Sequence, residues 1–185
     1  ERRNVVFGGQ ILAQAMVAAH LDRNLDRVDV KEVKSIHAIF ARAGESLVAL
    51  NMETYALDEQ ALVIADGRGP VAIAGVIGGL DSGVTETTTR LIFESANFHG
   101  GHVRKTSSRL KLRTDASMRF EKAQGPHNTV RGLARALELL RVVSPGIRLV
   151  GGLVDNCGPL KPAPMIEFHH DWLVKKLGRP VSRDE

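Results

Sequence analysis

Short apolar blocks broken by glycine, proline and small polar residues recur along the chain, most densely between residues 62 and 98. Two apolar runs, 62–65 and 71–77, flank Asp66-Gly67-Arg68-Gly69-Pro70, whose composition predicts a tight turn between strands. A third run at 90–93 predicts another strand and ends at Glu94. These three strands are expected to share one core. Residues 34–41 and 47–51 also read as strands. Residues 8–21 are rich in Ala, Leu, Met and Gln and predict a helix, apolar over so much of its surface that it should be buried. A second helix is expected over 103–110, and a third from Met118, with Ser117 as its cap. Residues 128–143 form the clearest amphipathic pattern. Asn128 is placed to cap that helix, Val130, Leu133, Ala134, Leu137 and Leu140 face the core, and Ser144-Pro145-Gly146 stops it. Short strands are expected at 147–150 and 153–154. Three prolines within residues 159–164 mark a linker, followed by a strand at 165–170 and a helix at 171–178.

Candidate chemistry clusters around the densest stretch. Residues 78–83 hold three glycines, Gly78, Gly79 and Gly83, which let the backbone bend and approach a ligand closely. A carboxylate, Glu94, ends the strand beyond them. That arrangement fits a recognition pocket, and it equally fits a plain strand pair with a solvated glutamate. Further on, Arg104, Lys105, Arg109, Lys111 and Arg113 place five cations in ten residues with no acid between them. Such a run is either an ordinary solvated helix face or a patch that contacts phosphates without regard to sequence. His99 and His102 lack a third neighbouring ligand and do not make a metal site by themselves. No metal and no cofactor is expected.

The blocks GESLVALN, LVIADGRGPVAIAGVIGGLDSGVTETT, FESANF and LRTDASMRFE, in that order and spacing, resemble the beta subunit of bacterial phenylalanyl-tRNA synthetase. The resemblance covers about residues 39–175 and is to the module that houses the family's editing site. It implies an α+β fold with a mixed β-sheet core and flanking helices. It also implies hydrolysis of tyrosine wrongly attached to the phenylalanine tRNA. By the same resemblance Glu94 meets the tyrosine hydroxyl, Gly78 lies on the pocket floor, and Thr114 and Ala116 line its wall. No catalytic residue is assigned, because the scissile bond is an activated ester. The family's pocket histidine has no clear counterpart, and His20 and His37 are weak candidates. Where the family has Gly-Val-Asp-Pro, this chain has Ala123-Gln124-Gly125-Pro126, and the Asp is lost. The implied partners are tRNA, at its aminoacylated 3′ end, and the synthetase alpha subunit. The alpha subunit carries the ATP-binding core, so aminoacylation by this chain alone is not expected. A structural or RNA-binding module without activity is the alternative.

The opening reads differently. The blocks VFGGQILAQAMVAAH and VKSIHAIFARAGES resemble the start of a double hot-dog acyl-CoA thioesterase, and the two resemblances meet near residues 39–46. About 46 residues do not make a hot-dog domain, which argues against thioesterase activity. Three divisions are expected: 1–43 as a thioesterase-like helix and strand, 44–157 as the editing-type domain, and 158–185 as a linker with the start of a further module. The chain begins at Glu1 without a methionine, which reads as a piece of something longer.

Composition narrows the remaining classes. At 185 residues the chain can bury a sizeable core, and with aromatics at 4% that core must be built from aliphatic side chains. A net charge of +4 leans toward an anionic partner. One cysteine, Cys157, rules out an internal disulfide. No apolar run reaches the ~20 residues needed to span a bilayer, and a cytoplasmic location is expected.

Overall fold

The run at 62–65 forms the innermost strand of the main sheet, with all four of its residues buried. The computed structural model describes residues 15–20, 37–86, 88, 90–149, 153–155 and 165–182. In chain order the described strands are β1 (Ala15–His20), β2 (His37–Phe40), β3 (Ser46–Val48), β4 (Thr54–Ala56), β5 (Leu62–Ala65), β6 (Pro70–Ile73), β7 (Ile77–Gly78), β8 (Arg90–Ser95), β9 (Arg148–Leu149) and β10 (Val154–Asp155). The helices are α1 (Gly100–Arg109), α2 (Asp115–Phe120), α3 (Asn128–Val143) and α4 (His170–Leu177). The fold is α+β.

The main sheet runs β2-β5-β6-β7, each neighbouring pair antiparallel. The β5–β6 turn is held by Asp66, whose carboxylate accepts from the amides of Arg68 at 2.8 Å and Gly69 at 3.2 Å. Residues 71–77 do not form the single strand expected. The chain reverses at Ala74-Gly75-Val76 because Gly75 takes φ +67°, a conformation that side chains other than glycine rarely adopt. Val103, Phe98 and Phe120 pack 3.0–3.2 Å from where its Cβ would stand.

A second sheet joins β8 to β1 antiparallel over six residue pairs, from Ala15 opposite Ser95 to His20 opposite Arg90. Strands β9 and β10 pair with β1. The helix expected over 8–21 is therefore not formed in its described part. Ala15–His20 is extended because β8 offers it a ladder of backbone partners, which outweighs a helix propensity of about a few tenths of a kcal/mol per residue. Residues 8–14 and 21 lie outside the described residues.

The core corrects a further expectation. Ile39, Leu47, Leu57, Val63, Ile64, Ile73, Val76, Phe98 and Val103 are buried together on the main sheet. Strand β8 belongs to the other sheet, and its Phe93 packs instead with Leu133 and Leu137 of α3. Ala96 and Phe98, beyond the strand, reach the main core, while the run 90–93 itself does not, so the three runs do not share one.

Helix α3 spans the predicted residues, but Asn128 is not its cap. His127 holds that position, and its side chain makes no capping bond. Val130 and Ala134, expected to face inward, are exposed. Helix α2 begins earlier than expected and is capped by Thr114 rather than Ser117. Residues 165–169 are not a strand, and α4, closed by Gly178 at φ +68°, has no buried residue. No described helix is long and apolar enough to cross a membrane.

Candidate functional site

A cleft of about 820 Å³ opens between the main sheet and the β1–β8 sheet, lined by Gly78 and Gly79 from the first and by Leu91, Ile92 and Glu94 from the second, with Ser46–Val48 of the two-stranded β3–β4 sheet also in its lining. The glycine wall is stitched tightly to its neighbours. Leu50 N–H donates to the Gly78 carbonyl at 3.0 Å, and Gly79 N–H to the Val71 carbonyl at 2.8 Å. The Ser82 hydroxyl lies 2.9 Å from the same Val71 oxygen and 3.1 Å from that of Gly79. A Cβ at Gly79 would stand 2.6 Å from Val71 O, so only glycine fits there without movement of the backbone. A Cβ at Gly78 would instead meet the Leu50 side chain at 3.1 Å. Leu50, more than half exposed, is thus a neighbour of the floor that sequence reasoning passed over, since nothing in its local pattern sets it apart.

Glu94 lines this cleft from β8 and is exposed to solvent. Enough protein surrounds its carboxyl that burial pushes its pKa above the ordinary 4.5. It has no hydrogen-bond or ion-pair partner among the described residues. An acceptor held beside a cavity, and without a partner among the described residues, is suited to receive a donor from a ligand.

Gly78 and Glu94 are thus brought together across 16 positions of sequence. Thr114 and Ala116 are not among the residues lining the cleft. The Thr114 hydroxyl donates at 2.6 Å to the carbonyl of Val76, which does not line the cleft either. His37 is exposed at the start of β2 and does not line the cleft. His20 pairs with Arg90 along the β1–β8 ladder.

The model of one family, described as the B3/4 domain, matches residues 15–144. The chain belongs to the B3/4 domain family. Among curated proteins it is similar to the phenylalanine–tRNA ligase beta subunit of Solibacter usitatus, 61% identical over 145 residues, which is 78% of this chain and 19% of that protein. The beta subunit of Clostridium acetobutylicum is 40% identical over 160 residues, 85% of this chain and 20% of its own length. That of Anaeromyxobacter dehalogenans is 35% identical over 171 residues, 91% of this chain and 21% of the relative. The chain spans about a fifth of the length of these relatives. The family match begins at residue 15, so it takes in β1 and β2, where a thioesterase-like opening was expected.

Elsewhere in the B3/4 domain the cationic run divides. Arg109 is paired to Asp58 at 2.7 Å, and Arg113 grips Glu121 with two nitrogens at 2.7 and 2.9 Å. Both acids come from outside the run, which is why the sequence made these cations look unopposed. Arg104, Lys105 and Lys111 are exposed and have no ion pair among the described residues. The hydrogen bonds and charge of Arg113, with Lys122 beside it, bring the Glu121 carboxyl down to about 2. A depressed carboxylate stabilises the fold in full above its ordinary 4.5, and that contribution is lost as pH falls toward 2. Glu121→Gln is accordingly expected to narrow the difference between urea midpoints measured at pH 7 and pH 3. An unchanged difference would mean the pair contributes nothing.

His99 and His102 face each other with ring centroids 4.9 Å apart, and Phe40 lies 5.5 Å from His102. Burial, then the nearby His99 and Lys105, lower the His102 pKa. No group of three metal-ligating side chains occurs among the described residues.

Proposed function

We propose that this B3/4 domain hydrolyses tyrosine wrongly esterified to the phenylalanine tRNA, as a module of a phenylalanine–tRNA ligase beta subunit. The observation that carries this reading is that the Glu94 carboxyl, without a partner among the described residues, lines one cleft with Gly78 and Gly79. Tyrosine and phenylalanine differ by one para hydroxyl. A site that accepts a hydrogen bond from that hydroxyl leaves its acceptor unpaired when phenylalanine enters, and so discriminates by more than a methylene-sized contact could. No side chain is assigned as nucleophile. The ester to a ribose hydroxyl is already activated, and a positioned water with the RNA's own hydroxyls suffices. Residues 44–157 are assigned to this domain, with β1 completing the sheet of β8, and 158–185 to a linker and the start of a further module. The partners in this reading are the aminoacylated 3′ end of tRNA and the synthetase alpha subunit, in the cytoplasm.

The test is hydrolysis of tyrosyl-tRNA(Phe) against phenylalanyl-tRNA(Phe) by the purified chain. The tyrosyl ester is expected to be cleaved faster, by about tenfold or more if the hydroxyl contributes a net bond near 1.4 kcal/mol. Equal rates, or none above the uncatalysed reaction, would leave the second reading. That reading is a structural or RNA-binding module, and the position of Thr114 and Ala116 away from the cleft favours it.

For tRNA binding the unpaired cations are the candidates. Arg104 and Lys105, both changed to Glu, are expected to weaken binding of any tRNA. The slope of log affinity against log salt should become shallower by about 0.7–0.9 for each phosphate that is no longer neutralised. Arg109→Gln and Arg113→Gln, whose parent residues are already paired to acids, should leave that slope nearly unchanged. A slope insensitive to all four would assign the run to solvation.

A further inference from the structure

Successive residues of β8 point to opposite faces. Glu94 lines the cleft, so Ser95 turns toward α3, where its hydroxyl donates to the Thr129 carbonyl at 2.7 Å. On that side lies a second cavity, of about 260 Å³, whose lining includes Ser95, Asn97, Arg119, Phe120, Gln124 and Asn128. The hydrolytic reading uses none of these residues.

The connection from α2 to α3 is braced around this space. Ala123 takes φ +54°, a left-handed conformation that residues other than glycine rarely adopt. Asn97 Nδ2 donates to the Gln124 carbonyl, and Gln124 Nε2 to the Arg119 carbonyl at 2.9 Å. A backbone carbonyl only accepts, so each bond fixes which end of the side-chain amide is turned toward it. Asn97 Oδ1 and Gln124 Oε1 are the ends left over, and neither has a hydrogen-bond partner among the described residues. The guanidinium of Arg119, an exposed residue, has no partner among them either. Phe120 is held by its contact with Phe98, at 5.2 Å between ring centroids. One space is thus bordered by two amide acceptors, a fork of donors and an aromatic ring.

That set is the complement of one base edge. Cytosine presents an amino donor at N4 followed by acceptors at N3 and O2, which suits an amide oxygen beside a guanidinium fork. Uracil turns a carbonyl toward the amide oxygens and a donor toward the guanidinium. Guanine presents an acceptor and two donors, the reverse order, and adenine offers only one acceptor beside its amino group. In a duplex this edge is hidden, whereas an unpaired base can be stacked on an aromatic side chain and read along it. We infer that the cavity binds an unpaired cytidine. Asn97 and Gln124 accept from its N4 amino group, Arg119 donates to N3 and O2, and the base rests beside Phe120. A free cytidine nucleotide and an unpaired cytidine in RNA carry the same edge. The inference goes beyond ester hydrolysis and does not rest on it.

The test is titration of the purified chain with cytidine and uridine 5′-monophosphates, followed by amide chemical shifts. The cytidine form should shift the amides of Asn97, Gln124 and Asn128. It should bind about tenfold more tightly than the uridine form, as for one well-made hydrogen bond. Arg119→Met removes the donors at an exposed position and should bring the two affinities within about threefold of each other. Gly125→Leu should abolish binding of both. A Cβ there meets only Asn128 Nδ2 within 4 Å, at 3.8 Å, and the longer side chain grows into the cavity that Gly125 lines. Both variants should keep the urea midpoint of the parent, and the cytidine-to-uridine ratio of the parent needs neither of them. A uridine oligonucleotide carrying one cytidine separates the sources. Affinity above that of the monophosphate, weakening with salt, points to RNA, and equal affinity to the free nucleotide. Equal affinity of the parent for the two bases would overturn the inference. So would shifts confined to the cleft around Glu94, or an Arg119→Met ratio equal to that of the parent.

Discussion

Gly100→Ala is expected to cost about 2–3 kcal/mol of stability, the upper range for forcing an extra methyl into packed surroundings. A Cβ there would lie 2.7 Å from the Glu121 carbonyl oxygen, 3.0 Å from its carbon and 3.1 Å from the Phe120 oxygen. All three are backbone atoms at the end of α2, so no side-chain rotation relieves the clash. Helix propensity favours alanine over glycine by at most about 1 kcal/mol and does not offset this. Gly132→Ala is the control. It lies in α3, where the nearest atom to a Cβ is the Ser95 hydroxyl oxygen at 3.4 Å, so the propensity gain of up to about 1 kcal/mol should appear as added stability. Urea midpoints of the two variants should move in opposite directions. A Gly100→Ala midpoint equal to that of the parent would mean that α1 and α2 do not approach so closely.

Glu94→Ala should abolish most of the preference for tyrosyl over phenylalanyl esters, a change of about 1–3 kcal/mol for a partner left without its acceptor. The main loss is expected in the tyrosyl reaction, with phenylalanyl hydrolysis little altered. The pH dependence follows from the direction of the Glu94 shift. Burial raises its pKa, so the carboxylate is lost on acidification before an ordinary glutamate at 4.5 would be, and the preference for tyrosine should decline with it. The sign for stability is the reverse. A raised carboxyl favours the folded state fully below its unfolded value, and this is lost as pH rises through the folded one. Glu94→Gln should therefore be at least as stable as the parent at neutral pH, while losing selectivity.

Elements governed by local pattern are readable from sequence. The uninterrupted apolar run of β5 and the span of α3 both stand where expected. Elements governed by distant partners are not. The alanine-rich residues 15–20 carry a helical composition and become a strand because β8 lies beside them. The break inside 71–77 turns on Gly75 alone, and its requirement for glycine comes from Phe98, Val103 and Phe120, which no local window contains. The fold class and the family came from long blocks of resemblance, which carry such distant information implicitly. For the candidate site, resemblance named Gly78, Glu94, Thr114 and Ala116 alike. Only coordinates separate the two at the cleft from the two around α2. The cation run misleads in sequence for a similar reason, since Asp58 and Glu121 reach Arg109 and Arg113 through the fold.

The most direct measurement is a crystal structure of the chain bound to adenosine carrying tyrosine through a non-hydrolysable 3′-amide. The phenol ring should lie between the Gly78–Gly79 floor and β8, with its oxygen within about 2.5–3.0 Å of a Glu94 carboxylate oxygen. A ring seated in the smaller cavity of about 260 Å³ between Ser95 and Thr129, or a Glu94 carboxylate left facing water with the analogue bound, would contradict the assignment.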